Sequence, residues 1–273
     1  MLEGGLCRES ERPITLCLKN TSETHSGLQT GALPSVLGDL ACAWACPPGT
    51  TASTMPAVPH WRAGVSKVCI TPTEPICLDG WGSRISQGVS MDIWVKAAAF
   101  AAGEGGAPHV LVSADLCGFS GSMTERLVEW VAQNHGMARS QLILNCSHNH
   151  SGPVFEDTLP LYHNLNDTEY EVIARYTEEL EAKVHDAISK AIAALVPCTL
   201  AWGQSLCGLA VNRRRSRGGE TRRLPTVVDQ DVPVLTLRGN DGSLFGVLFG
   251  YSCHATAIND QKVTMRASAL LLF

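Results

Sequence analysis

No apolar run in this sequence approaches the ~20 residues that a membrane-crossing helix needs, so no such helix is expected. Nothing repeats at a fixed spacing, which argues against solenoid and propeller architectures. An excess of one charge is also missing. The chain carries 26 acidic and 21 basic residues, a net charge of −5, with no overall nucleic-acid signature. Its eleven cysteines form neither a Cys-x-x-Cys pair nor a zinc-finger spacing. An odd number cannot all pair within one chain, so reduced thiols are expected. Cys69, Cys146 and Cys253 lie in apolar, strand-like runs, where cysteine acts as a small buried hydrophobe. No signal peptide is legible. Ser35 to Ala45 has small residues, but Asp39 interrupts it and it lies far from Met1. What remains is 45% hydrophobic and 17% charged, enough for a globular protein with a real core.

Residues 1–60 mix Gly, Ser, Thr and Pro without a sustained period of 2 or 3.6, which predicts a poorly ordered extension. Met55 stands just before the first organised stretch and is the expected natural start of translation. Residues 61–273 read as one domain. Strands are expected at Gly64–Ile70, Ile93–Phe100, His109–Asp115, Leu142 onward, Thr199–Gln204, Val232–Leu237 and Leu244–Tyr251. Asn240-Asp-Gly242 signals a hairpin between the last two. Helical spacing predicts a helix over Met123–Asn134, stopped by Gly136. A longer helix is expected over Thr168–Leu195, capped by Asn166 or Asp167, with His185 off its apolar stripe and at the surface. Partial alternation of strands and helices, together with a hairpin, predicts an α/β fold with a mixed β-sheet core and flanking helices.

The most chemistry sits in Leu142 to Pro153, an apolar run that ends in His148-Asn-His150-Ser-Gly-Pro153. Alternate residues of an extended chain point the same way, so His148 and His150 can face one side just past a strand end. Two imidazoles so placed suit a zinc ion, or one metal ligand beside one substrate contact. Taken alone, His-x-His is a weak pattern and is more often a solvated loop. His254 repeats the plan at the end of a second apolar strand, and the two sites can converge if both strands share a direction. Asp115 has two readings: a partner that orients an imidazole, or a strand-end carboxylate capping backbone. Arg213 to Arg223 carries six arginines, suiting a solvated loop or contact with an anionic lipid surface. Without interleaved aromatics it does not read as a nucleic-acid site.

The segment His148 to Pro153 resembles the Thr-His-Thr-His-Ser-Gly-Pro motif of the neutral ceramidases. The resemblance runs from about residue 62 to 260 in several ordered motifs. Arg62 to Pro72 is similar to the family's opening segment, and Gly80-Trp81-Gly82 to its Gly-Tyr loop. Ser113-Ala-Asp115, Val211-Asn-Arg213-Arg214 and Gly250-Tyr-Ser-Cys-His254-Ala-Thr256 each have counterparts. The chain looks closest to the shorter neutral/alkaline non-lysosomal ceramidase N-terminal domains.

The resemblance implies a zinc-dependent amidohydrolase that cleaves ceramide to sphingosine and fatty acid. It implies His148 and His254 as zinc ligands, and His150, Arg213 and Gly80 as head-group contacts. His150 and Arg213, with Asp115 behind them, are then the expected catalytic residues. Two further zinc ligands of the family, a Glu and a Tyr, would fall beyond Phe273. A truncated or frameshifted copy is therefore expected, binding zinc weakly through two histidines and turning over little. The competing readings are a natural short form, a non-catalytic metal-binding remnant, and a hydrolase of another amide or ester on the same fold.

Overall fold

The structure is a computed structural model that describes residues 61–80, 82–156, 158, 162–212 and 227–254, with the backbone of 264–265. The expected extension over residues 1–60 and the Met55 start lie outside these residues, as do Trp81, Arg213 and the whole arginine-rich loop. None of the described helices is long and apolar enough to cross a membrane.

In chain order the strands begin with β1 (Trp61–Cys69), β2 (Cys77–Leu78), β3 (Arg84–Ile85), β4 (Gly88–Val89), β5 (Trp94–Ala102) and β6 (His109–Ala114). Helix α1 (Gly121–His135), a 3-10 turn (Arg139–Gln141), β7 (Leu142–Cys146) and helix α2 (Asp167–Ala193) follow. The chain then forms β8 (Val196–Leu206), β9 (Asp231–Gly239), β10 (Leu244–Phe249) and β11 (Thr264–Met265). Seven strands make one sheet in the order β10-β9-β8-β1-β5-β6-β7, and two-stranded pairs β2-β3 and β4-β11 stand apart from it. All neighbours in the large sheet are antiparallel except β6 and β7, which α1 joins as a crossover. The expected mixed α/β sheet is what the chain forms.

Local chemistry explains the elements. Ser120 caps α1 by accepting the Met123 N–H. Gly136 closes the helix at φ 63°, sending its own N–H to Ala132 O while Met137 N–H reaches Val131 O. Asn166 and Glu169 form a reciprocal capping box at the start of α2. The apolar stripe of α2, from Ile173 and Tyr176 to Ile188 and Ala191, is buried as its periodicity predicts. It packs on Val95, Ala97 and Ala99 of β5 and on Val110 and Val112 of β6, in one core shared with Leu127 and Val131 of α1. The Tyr176 hydroxyl, buried in this core, donates to Ile70 O at 2.8 Å, so that oxygen is not stranded.

The other sheet face is closed by the sheet itself. Ala63 (β1), Ala98 (β5), Cys198 (β8), Leu237 (β9) and Leu248 (β10) share a second core. Strands three places apart in the order can meet only if the sheet curls, as twisted sheets do. Gly246 of β10 sits so near β1 that a Cβ there would come within 3.3 Å of Val65 Cγ1.

His185 departs from expectation. It is not a surface residue: its ring stacks on Trp130 of α1 with centroids 4.0 Å apart and planes 11° apart. Burial between the two helices lowers its pKa from the ordinary value. The apolar stripe of α2 gave no hint of it, because the partner is an aromatic on another helix.

The seven described cysteines, Cys69, Cys77, Cys117, Cys146, Cys198, Cys207 and Cys253, are all free thiols. Burial pushes the Cys146 thiol well above the ordinary range, so it acts as the inert apolar filler its run suggests.

The tightest helix-to-sheet contact predicts a mutation. A Cβ at Gly64 of β1 would lie 2.3 Å from Ala191 O and 2.6 Å from the Ala194 carbonyl carbon, both backbone atoms. Gly64→Ala should therefore push α2 off the sheet and cost about 1–3 kcal/mol. Urea denaturation checks it, and an unchanged midpoint would show that the end of α2 gives way freely.

Candidate metal centre

Two loops at the rim of the sheet bring three imidazoles together. His148 and His150 follow β7, and His254 follows β10. His150 Nε2 lies 3.2 Å from His148 Nε2 and 2.8 Å from His254 Nε2. The three ring centroids are 4.7–4.9 Å apart. His148 and His254 are exposed and His150 is half-buried, so the cluster is open to a ligand.

The convergence does not come from a shared strand direction, as the sequence reading supposes. From β7 to β10 the sheet passes one parallel pairing and then only antiparallel ones, which leaves β10 running in the opposite sense to β7. His254 reaches the cluster because the sheet curls and because five residues, Gly250 to His254, extend past the strand.

Backbone carbonyls orient two of the rings. His148 Nδ1 is 2.8 Å from Cys117 O, and His150 Nδ1 is 3.2 Å from Gly80 O. A carbonyl only accepts, so each Nδ1 must carry the proton and donate. Each neutral ring then turns the lone pair of Nε2 toward the other, and two acceptors at 3.2 Å repel unless a cation or a shared proton lies between them. A tetrahedral zinc ion bound at ~2.0–2.1 Å would hold its nitrogen ligands about 3.3 Å apart. The His148–His150 pair therefore fits a zinc-like ion in both chemistry and spacing, while the 2.8 Å between His150 and His254 is shorter than that separation.

Cys117 joins His148 and His150 in a group whose donor atoms all lie within 4.8 Å of one another. Its sulfur is 3.5 Å from His148 Nδ1, behind the ring rather than among the Nε2 atoms. Burial, with help from Asp79, pushes its thiol up to about 12. Cys117 supports His148 through its carbonyl, which takes the Nδ1 proton.

The loop between the two histidines is pinned from within. His148 adopts φ 53°, a left-handed conformation that a non-glycine residue takes only when its surroundings impose it. Buried Asn149 supplies that constraint. Its Nδ2 donates to Asp115 O at 3.2 Å, its Oδ1 accepts Ser151 N–H at 2.9 Å, and its own N–H reaches Leu116 O at 3.0 Å.

Asp115 thus meets the site through its carbonyl. Its carboxylate accepts Trp94 N–H at 3.0 Å and lies 3.8 Å from Lys96 Nζ, with a further bond from Ser147. Burial raises its pKa, with Lys96 and these two donors pulling the other way. Of the two readings open in the sequence, these contacts are those of a strand-end carboxylate.

Gly80 stands at the cluster, as its loop suggests, in contact with His150. Its φ is +90°, and a Cβ there would fall 2.2 Å from His150 Nδ1. Arg213 lies outside the described residues; its neighbour Asn212 is half-buried. Asn149, Cys117, Asp79 and His163 are site residues that no sequence pattern singled out. A concavity of about 490 Å³ runs along the outer edge of β7 between Arg139, Phe119 and Leu144, and it does not include the histidines.

The fold has known counterparts. One is a neutral ceramidase from Pseudomonas aeruginosa, with a TM-score of 0.63 and 20% identity over 76% of this chain and 34% of that one. Another is a ceramidase complexed with C2, with a TM-score of 0.61 and 17% identity over 76% of this chain and 33% of that one. This chain has the neutral-ceramidase fold. It spans about a third of the length of these ceramidases. No family model and no curated protein matches the chain. The ceramidase likeness at these identities is one of backbone, and the chemistry of the site rests on its own residues.

Two outcomes are expected. Gly80→Ala displaces the His150 ring, so bound zinc should fall at least tenfold while far-ultraviolet circular dichroism stays that of the wild type. Retention of zinc by this variant would separate Gly80 from the site. The second outcome concerns Glu156, which ends the site loop and pairs with Arg126 at 2.7 Å. Burial tends to raise its pKa, but Arg126 and the Ser120 hydroxyl together hold it below the usual 4.5. A depressed carboxyl stabilises the fold above its unfolded pKa and loses that contribution as pH falls through the folded one. Glu156→Gln should therefore lose less melting temperature than wild type on acidification from about pH 6 to about pH 3. Equal losses would show that the pair contributes nothing to acid stability.

Proposed function

We propose that this chain carries the metal centre of an amide hydrolase of the neutral-ceramidase type, acting on the N-acyl amide of a ceramide-like lipid. The approach of His148 Nε2 and His254 Nε2 to His150 Nε2, at 3.2 and 2.8 Å, carries the reading. The likeness in fold to two ceramidases supports the substrate class.

A zinc ion bound there would lower the pKa of a water ligand to about 7 and polarise the amide carbonyl. His148 and His254 are assigned as its ligands, each presenting Nε2. The ceramidase resemblance implies His150 as a substrate contact. The geometry supports it as a third donor, since its Nε2 lies 3.2 Å from His148 Nε2 and 2.8 Å from His254 Nε2. Three protein ligands with one open position are the usual composition of a catalytic zinc site, whereas two would leave the ion underliganded. Gly80 bears no side chain, so the rim beside His150 stays open to a head group. Arg213 would donate to a substrate oxygen through its planar guanidinium. Asp115 acts at a distance, by holding Asn149 and with it the turn between the two histidines.

Zinc content after dialysis, measured beside turnover of a panel of N-acyl substrates, tests this. The wild-type chain should retain close to one zinc, and His148→Ala, His150→Ala and His254→Ala should each lose most of it. Full zinc retention in His150→Ala with loss of turnover would return that residue to substrate binding alone. A wild-type chain without zinc would sink the metal centre. Turnover of another amide or ester and not of ceramide would replace the substrate while keeping the site.

A further inference from the structure

The hairpin of β8 and β9 reaches past the body of the sheet. β1 pairs with β8 only at Val196, Pro197 and Cys198, whereas β9 follows β8 from Cys198 to Leu206. Along residues 199–206, β9 is therefore the only strand beside β8 among the described residues. Opposite residues of an antiparallel pair share a face, and so do alternate residues along a strand. Leu200, Trp202 and Leu206 thus lie on the face of Cys198, with Leu237 opposite Leu200 and Leu235 opposite Trp202.

This is the face that forms the second core, where Cys198, Leu237 and Leu248 are buried and Leu200 and Leu235 pack against them. Toward the tip of the hairpin the cover runs out. Trp202 and Leu206 are 78% and 68% exposed. Leu209 and Val211, just after β8, and Val227, just before β9, are exposed as well. The other face of this part of β8 carries only Thr199, Ala201, Gly203 and Ser205. The ribbon is therefore amphipathic, and its apolar side stands in water. A contiguous apolar face of this kind marks an interaction surface.

Charge indicates what it meets. The stretch that joins Asn212 to Val227 contains six arginines and one acidic residue, Glu220, in a chain whose net charge is −5. Apolar side chains beside clustered arginines suit an anionic bilayer, where the former enter the acyl boundary and the guanidinium groups meet lipid phosphates. Tryptophan favours that same boundary, with its ring in the apolar layer and its N–H in the wet one. A second copy fits less well, because a two-fold contact brings the same patch, with the same arginines, to both sides.

We infer that the apolar face of the β8–β9 hairpin docks on an anionic lipid bilayer, with Trp202 as its aromatic anchor. Neither zinc nor turnover enters the measurement, so this surface stands or falls apart from the metal centre.

The full 273-residue chain is sedimented with vesicles of phosphatidylcholine, alone or mixed with phosphatidylserine. It should bind the mixed vesicles roughly tenfold more tightly or better, and lose that preference as salt rises from about 0.1 M to about 1 M. Trp202→Ser combined with Leu206→Ser should weaken binding to the mixed vesicles roughly tenfold or more with an unchanged far-ultraviolet circular dichroism spectrum. Trp202→Phe keeps the apolar bulk and decides the matter if the double variant does not fold. It should bind as wild type does, yet lose most of the quenching that brominated acyl chains impose on the wild-type tryptophan fluorescence. Equal binding to both kinds of vesicle, or equal quenching in Trp202→Phe and wild type, overturns the inference. A double variant that binds vesicles as wild type does, but sediments as a monomer where wild type is a dimer, gives the face to a second copy and overturns it too.

Discussion

Two hydrogen bonds, from imidazole Nδ1–H groups to the carbonyls of Cys117 and Gly80, decide what this molecule can hold. A carbonyl has no proton to give, so each bond dictates which nitrogen of the ring is left as a base. Both rings are forced to present Nε2, and the loops place those atoms 3.2 Å apart. His254 completes the set from another strand at 2.8 Å. Facing lone pairs are unfavourable in an empty site and favourable around a cation. The backbone therefore sets the aim of these two donors.

The sheet serves this arrangement by being stiff and curved. Its helix face is filled by α2 and α1, with small β5 alanines letting the helix lie close. Its other face closes on itself, so β10 swings round toward the end of β7. The histidine loops are anchored at the rim by backbone bonds from Ser147 to Ala114 O and from Asn149 to Leu116 O. Exposed imidazoles on a loop would ordinarily sample many orientations. Here the loop is buried at Asn149 and strained at His148, and both features restrict it.

Much of this was legible in the residues. Period and caps marked the seven main strands and both helices, and Asn240-Asp-Gly242 marked the hairpin. The histidines were legible because a strand followed by His-x-His has few bland explanations once a second strand ends the same way. The supporting residues were not. Asp79 and His163 are 84 positions apart, and Cys117 and His148 are 31 apart. Contacts at such separations leave no period in the sequence. His185 went astray for the same reason, since its partner is an aromatic on another helix.

By itself the sequence determined the elements, the core stripes and the three imidazoles, because these follow from local periodicity and residue chemistry. The tertiary structure alone decided that the imidazoles meet, although β7 and β10 run in opposite senses. It also decided that Asp115 grips the turn through its carbonyl, and that the carbonyls of Cys117 and Gly80 stand behind two of the rings. Each is a matter of how a curled sheet brings distant backbone groups within hydrogen-bond reach, and distance through space is not written along the chain.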